Sequence, residues 1–247
     1  FYTARLGGSS AVVGAVYGLY ALAQLLCTPL WEALSARVGR RRVLLVTLAG
    51  SVVTLALTGL TVSLGSLLLV RTLAGIMAGN LSVAQAYVAD VTSPQERARG
   101  MGAIGAGIGF GFVVGPALGA TAAGRFGLTL PFFIAAAIAA ANPLWAVVAL
   151  PEPPRHAPTP LGEALSLAGQ VRRPAMATLL AVIFLATLAF TAMEAMFALW
   201  THGRFGYGAA ANGFLFTYVG VVAAVVQGGL IRRLAPRFGE RALLRAG

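Results

Sequence analysis

The pattern Leu30-x-x-x-Leu34-x-x-Arg37-x-Gly39-x-Arg41-x-x-Leu44 recurs as Leu230-x-x-x-Leu234-x-x-Arg237-x-Gly239-x-Arg241-x-x-Leu244, 200 positions later, with little but apolar sequence between the copies. Each copy closes an apolar stretch with a cluster of arginines, the composition of a helix end that leaves lipid and meets water and anionic head groups. A chain that builds this junction twice is an internally duplicated membrane protein. Composition agrees. Hydrophobic residues make up 58% and charged residues 10%, with a mean hydropathy of +0.84, whereas a soluble domain carries about 25% charged residues.

The net charge of +11 would point to nucleic acid in a soluble protein. Here every basic residue is an arginine, and nearly all sit in short clusters between apolar runs, so the charge is read as topological and no nucleic-acid partner is expected. Cys27 is the only cysteine, which excludes an internal disulfide.

A lipid-crossing helix needs about 20 apolar residues. Seven stretches qualify: residues 11–34, 43–62, 66–89, 101–123, 129–150, 175–200 and 209–231. Residues 43–89 contain a single charge, Arg71, and are divided at the weak turn Ser63-Leu64-Gly65-Ser66. Residues 1–10 read as a loop, not as the basic start of a signal peptide, so the chain is expected to begin mid-protein. If the loop after the first stretch is cytoplasmic, only Arg5, Arg125 and Arg204 fall on the far side, as the positive-inside rule requires of a multi-pass protein of the cell (inner) membrane. Six crossings separate the two copies of the motif, so both emerge on one face. The economical topology is a parallel repeat of six-helix halves. The proline-rich run from Pro151 to Pro160 cannot continue a helix. The expected division is therefore a bundle over residues 1–150, a cytoplasmic linker over 151–173 and the start of a second bundle over 174–247.

Three segments carry a resemblance. Leu34, Arg37, Gly39, Arg40 and Arg41 fill a loop pattern similar to Gly-x-Leu-x-Asp-Arg-x-Gly-Arg-Arg, with Glu32 in place of the glycine and Ala36 in place of the aspartate. Arg71 and Gly75 give Arg-x-x-x-Gly, followed by Asp90 and Arg97. Gly111, Gly115, Pro116 and Gly119 give Gly-x-x-x-Gly-Pro-x-x-Gly-Gly with Ala120 in the last place. In this order the chain resembles the major facilitator superfamily, and within it the drug:proton antiporters of the tetracycline and multidrug type. The resemblance implies an all-α polytopic fold of which these seven helices correspond to helices two to eight of twelve. It also implies a secondary transporter that exports amphiphilic small molecules in exchange for protons by alternating access. The alternative is a facilitator or importer of a small metabolite that ignores protons. No enzyme activity and no cofactor are implied, and a monomer is expected.

Charges within lipid are costly, at about 3 kcal/mol or more when unpaired, so Arg71 and Glu194 should face protein or water, as residues for proton coupling or substrate charge. Counting from the expected helix ends puts both about 8 to 9 Å below the outer surface, at about 1.5 Å per residue. The plainer reading is that each side chain snorkels to the outer head groups, Glu194 near His202 and Arg204. Asp90 stands about 28 Å further along the helix from Arg71 and belongs to the other face. The resemblance implies a cytoplasmic gate there. Its residues are Asp90 with Arg37 or Arg41, together with Gly39, Arg97, Arg237 and Gly239, and Glu32 as a stand-in for the missing acid. Arg40, Arg42 and Arg99 are read as topological charge.

Gly107, Gly111, Gly115 and Gly119 fall every four residues on one helical face, where a neighbouring backbone can approach closely. That stripe, bent by Pro116, is expected either to fix the contact between the halves or simply to pack tightly. Gln24, Asn80, Gln85, Asn142, Phe197 and Gln227 are further candidates for lining a cavity, interhelical hydrogen bonding being the commoner use of the amides. No metal cluster, catalytic pairing or phosphate-binding loop is present in the sequence.

Overall fold

The computed structural model describes residues 2–153 and 174–226. Gln227, most of the expected linker with Arg155, His156, Arg172 and Arg173, and the whole second copy of the opening motif with Arg237, Gly239 and Arg241 lie outside the described residues. Those described form only helices: α1 (Tyr2–Arg5), α2 (Ser10–Val38), α3 (Arg40–Leu60), α4 (Leu64–Met77), α5 (Asn80–Val91), α6 (Pro94–Phe126), α7 (Leu130–Ala149), α8 (Pro174–Phe205) and α9 (Ala209–Val225). Six spans among them are long and apolar enough to cross a membrane, with α4 and α5 together forming one of these over Leu64–Val91. The last expected stretch is represented by the shorter apolar helix Ala209–Val225. The start of the chain is not wholly a loop, because Tyr2–Arg5 makes a helical turn anchored by the Tyr2 hydroxyl, which donates to the Thr61 carbonyl at 2.8 Å.

Local chemistry explains the helix ends. The expected break before α4 is made by Ser63, which accepts from the Ser66 amide while the Ser66 hydroxyl accepts from the Ser63 amide, a reciprocal cap for two free donors. A second break, between Met77 and Asn80, has no proline to announce it. Gly79 is packed against Trp31 so closely that a Cβ would stand 2.6 Å from its ring, and the Trp31 indole donates to the Ile76 carbonyl. The tryptophan thus fills the inside of the kink and satisfies a carbonyl at the end of α4.

The bundle is inverted relative to a soluble protein. Large apolar side chains point outward, including Leu25, Val62, Trp145 and Val148, while Thr47, Thr54 and Thr58 of α3 are buried. Each buried threonine returns its hydroxyl to a carbonyl one turn back, such as Thr58 to Thr54 at 2.7 Å, so none of these three hydroxyls is stranded in an apolar interior. α2 packs on α4, α3 on α7, and the most extensive contact joins α6 to α9.

Candidate functional site

Two regions concentrate the polar chemistry, and the first lies where α2, α3, α5 and the residues after α7 converge at the arginine-rich end. Gly39 separates α2 from α3 with φ +120°, a conformation that side chains rarely adopt. The turn aims the next two arginines differently. Arg40 Nε donates to Asp90 Oδ2 at 2.9 Å, and its Nη1 donates to Ser35 Oγ at 2.7 Å and to the Glu32 carbonyl at 3.4 Å. Arg41 donates through Nη2 to the Val147 carbonyl and through its backbone amide to Glu152 Oε1 at 3.3 Å, while its Nε is buried without a hydrogen-bond partner among the described residues. Arg37 is exposed on the last turn of α2.

Asp90 is in ion contact with Arg40, an arginine read from sequence as topological. Glu32 offers its carbonyl, whereas its side chain is exposed. Another acid sits closer. Glu152 lies so near Gly39 that a Cβ there would stand 2.5 Å from its Oε1, and its carboxylate accepts at the N-terminus of α3, where Gly39 provides no side-chain cap. Pro151 is tied to the same corner by the Tyr87 hydroxyl at 2.8 Å. Arg97 reaches the Ala89 carbonyl at 3.0 Å, a cation on the C-terminal turn of α5.

The second region lies between α2 and α4 on one side and α8 and α9 on the other. It is a cavity of about 350 Å³ whose lining includes Tyr17 and Tyr20 of α2, Arg71 of α4, Glu194 of α8 and Phe216 of α9. Gly75, one turn after Arg71, makes this possible. It is buried against the Tyr20 carbonyl, and a Cβ there would also fall 2.9 Å from Ala23. The bare glycine lets α4 close on α2 and sets Arg71 beside the tyrosines. Arg71 Nε is buried and has no hydrogen-bond partner among the described residues. Arg71 and Glu194 face one space without bonding to each other. α8 runs on to Phe205, beyond the expected end of that stretch at residue 200.

Glu194 and Phe216 also line a second cavity, of about 380 Å³, between α6, α8 and α9. Its walls are otherwise apolar or glycine: Gly105, Gly109, Phe112 and Pro116 of α6 face Phe190 of α8 and Gly220 of α9. Phe112 stands edge-on to Phe190 at 6.4 Å. Phe197 does not line either cavity but supports Phe216 edge-on at 5.4 Å. Gln24, Asn80, Gln85 and Asn142 line neither.

The glycine stripe meets a different fate from the one its spacing suggests. A Cβ added at Gly107, Gly111, Gly115 or Gly119 would meet nothing within 4 Å among the described residues. The close approach is made by α9: Gly213 packs against Ala120 and the Pro116 carbonyl, and Gly220 against the Phe112 carbonyl, 2.8 Å from where its Cβ would be. Phe112 lies four residues before Pro116, so its carbonyl is the one that the proline deprives of a helical donor. Ala120, which departs from the antiporter pattern, is therefore a contact residue. Sequence reasoning missed Tyr17, Tyr20, Glu152, Gly213, Gly220 and Phe216. Only the seven-residue spacing of Gly213 and Gly220 could have signalled one shared helical face.

Known proteins resemble this chain in sequence and in fold. The profile described as Major Facilitator Superfamily matches residues 1–247. The chain is 33% identical over 240 residues to the class C tetracycline resistance protein of Escherichia coli, covering 95% of this chain and 60% of that protein. It is 32% identical to human major facilitator superfamily domain-containing protein 10 over 96% of this chain and 57% of the relative. It is 28% identical to multidrug resistance protein 2 of Bacillus subtilis strain 168 over 96% and 61%. The crystal structure of the human organic anion transporter MFSD10 (TETRAN) superposes with a TM-score of 0.70 at 29% identity, covering 95% of this chain and 62% of that one. The chain thus spans about three fifths of the length of these relatives.

Proposed function

The chain belongs to the Major Facilitator Superfamily, and from that premise we propose that it is part of a secondary exporter that exchanges cytoplasmic drug-like amphiphiles for external protons. A family of membrane transporters rather than of enzymes, with tetracycline and multidrug resistance proteins among the similar sequences, favours drug efflux. The observation that carries the reading is that Arg71 and Glu194, two charges set well inside apolar spans, line one cavity between α2–α4 and α8–α9. A carboxyl that alternates between shielded and wet surroundings changes its proton affinity, which is what coupling requires. In this reading Glu194 carries the proton and Arg71 answers the charge of the substrate or of the acid. The Arg40–Asp90 pair with Gly39 and Glu152 steadies the cytoplasmic end. α6 and α9 form the sliding contact between two bundles joined by residues 151–173.

The test is efflux of a fluorescent drug from vesicles carrying the full-length protein, with and without an imposed pH gradient, for the parent and Glu194→Gln. Gradient-driven efflux in the parent and its loss in the variant support the exporter. Gradient dependence that survives the substitution removes Glu194 from the coupling role. A second reading, uncoupled passage of an organic acid, draws on Arg71, whose Nε lacks a partner among the described residues, and on the similarity to human MFSD10, an organic anion transporter. Transport indifferent to the gradient in the parent would select it.

A further inference from the structure

We propose that the turn α1 is a lid over the outer mouth of the cavity lined by Arg71 and Glu194, with Tyr2 as its latch and the junction of Gly8 and Ser9 as its hinge. That a transported solute passes through this cavity rests on the exporter reading, whereas the lid concerns only access to the cavity and is tested apart from it.

Tyr2 and Thr3 line the cavity, and the other lining residues among those described belong to α2, α4, α8 and α9. The neighbours of the turn stand at the arginine-poor ends of the helices: Thr61 just after α3, Leu64 at the start of α4 and Phe132 in the first turn of α7. α1 therefore lies across the outer end of the space, at the opposite end of the bundle from the Arg40–Asp90 corner.

The turn is built to move as one piece. Gly7, at φ +82°, lets its amide donate to the Ala4 carbonyl at 2.9 Å while the Gly8 amide donates to the Thr3 carbonyl at 2.9 Å, the paired bonds that close a helix C-terminus on itself. A Cβ at Gly8 would stand 2.7 Å from the Thr3 methyl, so the reversal needs a bare backbone there too. These bonds lie within the turn and survive a swing. Ser9, in extended backbone and without a side-chain cap on α2, joins the turn to the span.

The anchorage is light. None of Tyr2–Arg5 is buried. The Tyr2 hydroxyl donates to the Thr61 carbonyl at 2.8 Å, its ring stands edge-on to Phe132 at 5.2 Å, and Arg5 lies over that ring at 5.8 Å. Lifting the ring strands nothing. The Thr61 hydroxyl, 3.1 Å from the Tyr2 oxygen, also has the Thr58 carbonyl at 2.8 Å, and the Thr61 carbonyl at the outer end meets water. Segments held by few buried contacts open first, and one hydrogen bond exchanged for water shifts an equilibrium by only about two- to tenfold. Such a latch holds the turn down yet lets it lift in every cycle.

The test reads access from outside. In full-length protein with Cys27→Ser, Tyr17→Cys reports on the cavity, and a membrane-impermeant thiol reagent is added at the outer face of vesicles. Ala4→Cys, exposed on the lid, sets the unshielded rate, and position 17 should react more slowly. Tyr2→Phe keeps the ring and removes the latch, so it should speed the reaction at position 17 by about two- to tenfold, and Tyr2→Ala by more. Val83→Cys, fully buried near the opposite end, should stay unreactive in both variants, which separates an opened lid from a loosened fold. A short reversible bis-thiol reagent joining Tyr2→Cys to Phe132→Cys should clamp the turn and halt efflux until reductant is added. Unchanged labelling at position 17 in Tyr2→Phe and Tyr2→Ala overturns the lid, as does a starting rate equal to that of Ala4→Cys. Should Tyr2→Ala not fold, Tyr2→Phe decides alone. Faster labelling with efflux that persists under the clamp keeps the lid and removes the cavity from the path of transport, so the two readings fail separately.

Discussion

The arginine-rich corner and the cavity within the spans use the same residue types to opposite ends. In the corner, Arg40 has a carboxylate 2.9 Å from Nε and a hydroxyl 2.7 Å from Nη1, both supplied by the protein. In the cavity, Arg71 Nε has no such partner among the described residues, and Glu194 faces the same space without an ion pair to it. Charges answered by the protein tie helices together. Charges left open in a low-dielectric space cost stability and remain available to something that comes and goes.

If that contrast is right, the open charges can be removed at little structural cost and large functional cost. Arg71→Gln and Glu194→Gln in the full-length protein should each lower gradient-driven efflux by about tenfold or more. Thermal stability should stay the same or rise, by up to about 3 kcal/mol for the loss of an unpaired charge. A large drop in melting temperature would show that these charges were structural after all.

The corner should behave in the opposite way. Arg40→Gln or Asp90→Asn removes the ion pair between two side chains that are each only 17% exposed, and should cost about 1–3 kcal/mol in unfolding experiments. The double substitution should recover part of that loss. Additive costs would show that the pair is not energetically coupled.

The α6–α9 crossing sharpens the comparison among glycines. Gly220→Val drives a side chain into the Phe112 carbonyl and should destabilise by about 1–3 kcal/mol. Gly111→Ala and Gly115→Ala meet nothing among the described residues, and in unfolding assays each should stay within about 0.5 kcal/mol of the parent. A small effect also belongs to Glu152→Gln, which weakens a carboxylate cap on α3 and should cost about 0.5–1 kcal/mol. Melting curves of unchanged midpoint would reduce that contact to mere proximity.

Much of this was legible in the sequence for a physical reason: lipid demands long apolar runs and penalises charge, so spans and exceptional residues declare themselves. The apolar stretches, the turn at Ser63–Ser66 and the isolation of Arg71 and Glu194 all follow from those two costs. What escaped depends on rotation and partner choice. Four arginines stand within six positions, and which of them meets Asp90 is settled by the turn at Gly39, whose positive φ resets the phase between α2 and α3. The stripe at Gly107, Gly111, Gly115 and Gly119 marked a smooth face, but spacing alone does not say which face a neighbour selects. The close approach came from Gly213 and Gly220 instead. The kink at Gly79 was hidden because its cause, Trp31, lies on another helix. The end of that stretch was also placed too early, because α8 continues to Phe205 through Thr201, His202 and Arg204.

The central claim is that Arg71, Glu194 and the aromatic second cavity line one continuous space that a single ligand occupies. In full-length protein with Cys27→Ser, a cysteine placed at Tyr17 reports on the Arg71 end and one at Phe112 on the second cavity. The measurement is the rate at which each reacts with a water-soluble thiol reagent, with and without the fluorescent drug of the efflux assay. Slowing at both positions, with the same dependence on drug concentration, is the predicted result. Slowing at one position alone, or at two unrelated concentrations, would contradict it.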